Sequence, residues 1–174
     1  MGVKPGGHLA TAVALGGVGY LVTGSPELAG GCFAGGFLID FDHYSDYLVF
    51  EGGWRRPGPR EFLRYAFTYR YRRVVLPLHS IELMGILALL ISIWPHPALL
   101  GYLIGAFLHM GLDILINGEH ILRRPVLFYS FAYRAAHGFS ADRLVMRLDI
   151  PPEAGRAPVR EFFTWRPRVR KLDR

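Results

Sequence analysis

Over two long stretches the chain has no positive charge. No lysine or arginine occurs in residues 5–54 or 74–122, although the 174 residues contain 20 of them. The cations fall at Lys4, in residues 55–73 and in residues 123–174. This segregation excludes the evenly charged surface of an ordinary water-soluble protein and favours basic loops between membrane spans.

Cysteine is almost absent as well. Cys32 is the single one, which excludes an internal disulfide and a structural zinc site built on cysteines. The net charge of +6 and the pI near 9.8 would suit a nucleic-acid-binding protein. Because the basic residues are confined between apolar stretches, we expect no nucleic-acid partner and expect membrane lipids instead.

The cation-free stretches contain four apolar segments, at residues 8–24, 27–39, 74–94 and 97–116. A membrane-spanning helix needs about 20 apolar residues. We therefore predict an all-α, polytopic membrane protein with four transmembrane helices plus interfacial amphipathic helices. Residues 1–150 would form a single membrane-embedded helical domain, and residues 151–174 a basic, Pro/Arg-rich cytoplasmic tail.

The basic connector at residues 51–73 has the pattern of an amphipathic helix. Phe62, Ala66 and Tyr69 recur at helical spacing opposite arginines, as in helices that lie on a membrane surface. Connector and tail are separated by two spans and so lie on one side, which the positive-inside rule makes cytoplasmic. The sequence thus predicts a multi-pass protein of the cell inner (plasma) membrane with both termini cytoplasmic.

Two pairs of glycines are spaced four residues apart. Gly31 and Gly35 lie in the second apolar segment, and Gly101 and Gly105 lie in the fourth. This GxxxG spacing lets helix backbones approach closely in lipid. We expect the first pair to join the first two segments in a tight hairpin.

Ionisable residues recur in these segments at one depth. On the predicted topology each lies toward the cytoplasmic side: His8, Asp40, Asp42, His43, Asp46, His79, Glu82, His109 and Asp113. An ionisable group at bilayer depth costs roughly 2.5 kcal/mol or more, so it is usually there for a function. Unrelated polar pairs that only lock helices together would scatter in depth.

Histidine and aspartate are the residue types of a metal site. Imidazole suits zinc, iron and related divalent ions, and carboxylates can bridge two of them. Such ligands with open positions are typical of catalytic metal. For His109 and Asp113, which share one helical face, the alternative is a buried hydrogen bond that locks two helices.

Four motifs, in their order along the chain, also resemble a known family. They are His8, the D-x-D-H element from Asp40 to His43, the His79–Ser80 pair, and GYLIGAFLHMGLD with His109 and Asp113. The set is similar to the small membrane-bound metal-dependent hydrolases typified by LexA-regulated inner-membrane proteins. The resemblance implies four membrane helices and metal ligands at His8, Asp40, His43, His79, His109 and Asp113.

The first functional hypothesis is an integral-membrane metal-dependent hydrolase. It would bind one or two divalent metal ions, with Zn²⁺ the first choice, and cleave a phosphoester or ester of a lipid or anionic amphiphile at the cytoplasmic interface. Glu82, which lies three residues after His79 and would share its helical face, and Asp42 are the candidate catalytic residues. The alternatives are a non-enzymatic membrane protein whose His/Asp metal site is structural or transports ions, and a membrane-anchored interaction module that uses the basic tail. The sequence leaves a homo-oligomer open.

Overall fold

Serine, histidine and proline residues set where the long helices begin. In the computed structural model, Ser25 and Ser80 cap two helices by accepting hydrogen bonds from the backbone N–H groups of Leu28 and Leu83. His96 caps a third helix, and proline follows it at the first helical position. These caps satisfy N–H groups that the first turn of a helix leaves without partners.

The structure describes residues 5–68, 71–118, 121–146, 148–149, 155–163 and 170–171. The longer helices in these ranges are α1 (Pro5–Thr23), α2 (Pro26–Gly36), α3 (Phe41–Phe50), α4 (Pro59–Ala66), α5 (Ile81–Ile93) and α6 (Pro97–Leu112). Short 3₁₀-helices cover Leu38–Asp40 and Gly53–Arg55, and a π-helix, Asp113–Gly118, continues α6. Four short helices follow: α7 (Pro125–Phe128), α8 (Phe131–Ala136), α9 (Ala141–Leu144) and α10 (Pro158–Phe163). Leu148–Asp149 pairs antiparallel with Arg170–Lys171.

The helical class predicted from the sequence is confirmed, but four transmembrane helices are not. Within the described ranges one helix is long and apolar enough to cross a membrane, Pro97–Ile116, which runs from α6 into the π-helix. The apolar helix α5 has only 13 residues. Residues 74–80 were expected to be helical, yet they are not, and Leu76 has a φ of +44°. The predicted third span therefore begins with irregular backbone.

Helices α2 and α6 meet backbone to backbone through both glycine pairs. A Cβ on Gly31 or Gly35 would collide with the backbone of α6, and one on Gly101 or Gly105 would collide with the backbone of α2. Only glycine permits this approach. The first pair therefore faces α6 and not α1, which corrects the role expected for it. The first two helices do pack on each other, but around Gly16 of α1.

The outward faces of the long helices are apolar. In α1, Leu21 and Val22 are 84% and 78% exposed, and in α5 Ile93 is 76% exposed. The buried residues of α1 are instead small or polar: Gly7, His8, Ala12 and Gly16. This is the reverse of a helix in a water-soluble protein, where large apolar side chains face inward.

The amphipathic connector forms α4, which packs near the C-terminal helix α10. Phe62 and Ala66 of α4 face a cavity in the protein, whereas Arg60 and Arg64 are exposed. Tyr69, also predicted for the apolar face, lies outside the described residues. Helix α10, from the predicted tail, contacts α1 and α4, so this part of the tail packs onto the helical domain.

Candidate metal centre

The non-helical segment at residues 74–80 is held by two buried carboxylates. Asp46 Oδ2 accepts hydrogen bonds from the N–H groups of Val75 and Leu76, at 2.7 and 3.2 Å. Asp42 Oδ2 accepts from those of Leu78 and His79, at 3.0 and 3.2 Å. Asp42 and Asp46 lie one helical turn apart on one face of α3. Their carboxylates accept the hydrogen bonds that backbone carbonyls would accept if residues 74–80 were helical.

The opposite side of the same segment is held by Arg134 of α8. Its guanidinium donates to the carbonyl oxygens of Val75, Leu76 and His79, at 3.1, 2.8 and 3.0 Å. It also donates to the carbonyl of Phe128, at 2.5 Å, and the residue is 0% exposed. Sequence reasoning missed this role of Arg134. The signal was a lone arginine in an aromatic, apolar stretch.

Asp42, Asp46 and Arg134 together hold residues 74–80, and we call this set the clamp. The clamp fixes the direction of the His79 ring, and a backbone carbonyl fixes the direction of the His109 ring. Nδ1 of His79 lies 3.0 Å from Asp42 Oδ1, and Nδ1 of His109 lies 2.9 Å from the Gly36 carbonyl oxygen. Both partners are acceptors, so each Nδ1 carries the hydrogen and each Nε2 presents a lone pair when the ring is neutral. Carboxylates and carbonyls orient metal-binding histidines in this way.

The two Nε2 atoms point at each other and at Asp40. They are 3.2 Å apart. Asp40 Oδ1 lies 3.4 Å from Nε2 of His109 and 3.6 Å from Nε2 of His79. His43 Nε2 reaches the same carboxylate oxygen at 3.8 Å. Asp40 therefore stands at the centre of three imidazoles that come from three segments of the chain.

Asp113, the first residue of the π-helix, extends this group. Its carboxylate oxygens lie 3.1 Å from His8 Nε2 and 3.4 Å from His109 Nε2, and the Tyr129 hydroxyl donates to it at 3.3 Å. The rings of His8 and His109 stack with centroids 3.9 Å apart. Nδ1 of His8 is buried and has no hydrogen-bond partner within the described residues.

All six residues that the resemblance implied as ligands thus form one continuous cluster, which we call the His/Asp cluster. It divides into two groups, each with donor atoms within 4.8 Å of one another: His8, His109 and Asp113, and Asp40, His43 and His79. His8, His79 and His109 are buried, whereas the Asp40 and Asp113 side chains are 27% and 15% exposed. Their function as metal ligands stays a prediction.

The geometry of the cluster fits a bound cation. The lone pairs of His79 Nε2, His109 Nε2 and Asp40 Oδ1 face one another and repel when no hydrogen lies between them. One proton would remove the repulsion between two of these atoms, whereas a metal cation at their centre would remove it among all three. A zinc ion with bonds of about 2.0–2.1 Å and tetrahedral angles has donor atoms about 3.3–3.4 Å apart. The separations of 3.2, 3.4 and 3.6 Å among His79, His109 and Asp40 bracket that value. These buried His/Asp groups could hold a metal ion.

Asp40 and Asp42 lie outside the predicted spans, and neighbouring histidines lower the pKa of both carboxyl groups. Burial alone would raise the pKa of Asp40, but positive charge at His109, His43 and His79 holds it below the usual range. Burial likewise raises the pKa of Asp42, and the neighbouring His79 more than offsets it. Both carboxyl groups therefore stay ionised at neutral pH.

Of the two candidate catalytic residues, Asp42 lies at the cluster and Glu82 does not contact it in the described structure. Asp42 is 2% exposed and is occupied in orienting His79, so its geometry is that of a positioning residue. Glu82 accepts hydrogen bonds from Ser130 Oγ and from the N–H groups at the start of α8, at 2.6 to 3.1 Å. Glu82 was paired with His79 on the assumption of one continuous helix, but α5 begins only at Ile81.

A cavity of about 560 Å³ opens onto the cluster. Its polar end is lined by His8, Asp40, His43, His79 and Asp113. The rest of its wall is mainly apolar and aromatic, with side chains such as Phe62 and Phe128. The cluster is therefore accessible from an apolar chamber of the size that binds small molecules.

Comparisons with protein-family models, with curated proteins and with solved structures find no match for this chain.

Proposed function

We propose that this protein is an integral-membrane metal-dependent hydrolase that cleaves a phosphoester or ester of a lipid or anionic amphiphile at the cytoplasmic membrane interface. The observation that supports it best is the convergence of histidine Nε2 atoms and carboxylates at the polar end of an apolar cavity. Such a pocket, with a few convergent polar groups, is where a ligand and its chemistry are expected.

Membrane insertion is supported by the apolar outer faces of α1, α5 and α6, where Leu21, Ile93 and Phe107 are among the exposed residues. Four crossings require the short helix α5 to be extended by residues 74–80. Irregular backbone is tolerated at membrane depth where it is buried in protein with its polar groups paired. The clamp by Asp42, Asp46 and Arg134 supplies that pairing. The positive-inside rule then puts both termini in the cytoplasm of the inner (plasma) membrane.

In the proposed mechanism His79 and His109 hold the metal with Asp40, and His8, Asp113 and His43 complete the site or hold a second ion. When bound, the metal supplies Lewis acidity for attack by water on the ester bond. Asp42 keeps His79 in the tautomer that binds metal, and the Gly36 carbonyl does the same for His109. The charge on Asp40 and Asp113 matches a divalent cation, and we take Zn²⁺ as the first ion to test.

Metal content and turnover of the purified protein test this proposal together. We expect stoichiometric zinc or another divalent metal by mass spectrometry, and chelator-sensitive release of product from a panel of lipid phosphates, phospholipids and soluble phosphoesters. His109→Ala should lose both, because it removes a central Nε2. His96→Ala, which changes a helix cap away from the cluster, is the control and should retain both. Turnover that is unchanged by chelator and by His109→Ala would contradict the proposal.

The second candidate is a structural or ion-transporting metal site. It is favoured by the burial of the cluster, in which His109 is 1% exposed and stacks on His8. A saturated, closed site would tie the segments together without chemistry. An ion-flux assay in liposomes separates ion transport from hydrolysis, because His109→Ala should abolish flux only if the cluster conducts ions.

A further inference from the structure

We propose that the cavity binds one hydrocarbon chain, so that the ligand is a single-chain amphiphile with its polar group at the His/Asp cluster. The assignment of this amphiphile as the substrate rests on the proposed hydrolase function, whereas chain binding itself requires no turnover. The proposal narrows the substrate class from lipids in general to those with one linear chain.

The size of the cavity sets the first limit. Its volume of about 560 Å³ lies in the range of about 300–1,000 Å³ that is typical of pockets for one small-molecule ligand. One linear hydrocarbon chain is a ligand of that size, whereas the two chains of a phospholipid are twice as large.

The lining sets the second limit. Aromatic rings contributed by five different elements or loops face the cavity: Phe37, Phe41, Phe62, Phe128 and Phe162. Among the lining residues that the structure describes, the cationic side chain is Arg73, and the carboxylates are Asp40, Asp46 and Asp113. A ligand that fits has a long apolar part and one polar end, because the lining histidines and two of the three lining carboxylates belong to the cluster.

The wall formed by α4 explains how a chain could enter. No residue of α4 is fully buried, and its arginines face outward. The loop before α4 is nevertheless tied to α3, because the hydroxyls of Tyr44 and Tyr47 donate to the carbonyls of Pro57 and Arg56 at 2.5 and 2.9 Å. An amphipathic helix that is held at its N-terminal end and packed by its apolar face can admit a chain from the membrane surface.

The test uses the full chain in lipid nanodiscs and a hexadecylphosphonate that carries a photoreactive group on its chain. The phosphonate cannot be hydrolysed, so labelling reports binding alone. We expect labelled peptides around Phe62 and Phe128, competition by unlabelled hexadecylphosphonate, and no competition by butylphosphonate or by a two-chain phosphatidic acid. Labelling should persist after chelator treatment, because burial of the chain supplies most of the binding.

Matched substitutions test the position of the chain. Ala66→Trp fills part of the cavity and should cut labelling roughly tenfold, because the ring occupies space that the chain needs. Ala136→Trp places the same ring at an exposed site of α8 and should leave labelling unchanged. Labelling confined to the outer faces of α1 and α5, or equal competition by phosphatidic acid, would overturn the single-chain proposal.

The same preparation separates this proposal from the hydrolase. Chain labelling in the cavity without any chelator-sensitive turnover would support the chain site and contradict the hydrolase. The opposite result is turnover of soluble phosphoesters that Ala66→Trp does not affect, together with no labelling in the cavity. That result would support the hydrolase and contradict the chain site.

Discussion

The contact between α2 and α6 and the clamp on residues 74–80 bury backbone in opposite ways. At the helix contact the backbones approach because Gly31, Gly35, Gly101 and Gly105 have no side chains, and every helix satisfies its own hydrogen bonds. On residues 74–80 the helix is absent, and charged side chains supply the missing partners. The first region is stabilised by shape and the second by hydrogen bonds to ionised groups, so they should respond differently to substitution.

The largest effect is expected from Arg134→Met. It removes the donors to the carbonyls of Val75, Leu76, His79 and Phe128. A buried acceptor that loses its partner costs about 1–3 kcal/mol, and Arg134→Met leaves several such acceptors. We expect a large fall in the unfolding midpoint in detergent, and loss of bound metal because His79 is no longer held.

Arg143→Met is the control for the lost charge, because Arg143 is exposed in α9. Its midpoint and metal content should match those of the parent protein. If Arg134→Met also keeps the parent midpoint, the clamp does not stabilise this segment.

An intermediate effect is expected from Gly35→Ala. The added Cβ meets the Tyr102 carbonyl and the Ala106 backbone, which cannot move as a flexible side chain would. Forcing α2 and α6 apart should cost about 1–3 kcal/mol. Gly30→Ala is the matched control, because nothing lies within 4 Å of its added carbon. Equal midpoints for the two variants would show that the helices do not pack through this glycine.

The smallest structural effect is expected from Glu82→Gln, and the sharpest functional contrast is with Asp42→Asn. Asparagine keeps one acceptor oxygen and loses the charge, so it cannot accept both from His79 Nδ1 and from the N–H groups of Leu78 and His79, and metal affinity should fall about 10–100-fold. Glu82→Gln weakens only the hydrogen bonds at the start of α8, at about 0.5–1 kcal/mol, and should leave metal affinity unchanged. Metal titration of each variant measures these affinities. If Glu82→Gln loses as much metal affinity as Asp42→Asn, Glu82 also acts at the metal site.

Which residues meet was largely predictable, because position along an apolar helix is a local property. His8, Asp40 and His109 were placed at one depth by counting residues from charged loops, and the structure brings them together. How His79 is presented was not predictable in the same way. The i, i+3 spacing with Glu82 assumed a helix that had not yet begun, since Ser80 caps α5 and Ile81 is its first residue.

The sequence by itself determined the all-helical class and marked the glycine pairs and the His/Asp residues as candidates, because each depends on composition or on spacing within one segment. Only the tertiary structure decided that Gly31 and Gly35 face α6, that Asp42 orients a histidine, and that Arg134 binds four carbonyls. The reason is physical: a backbone group that leaves its helix can be satisfied by any suitable side chain nearby in space. Arg134 lies 55 residues from His79 along the chain, and no local pattern in the sequence links the two.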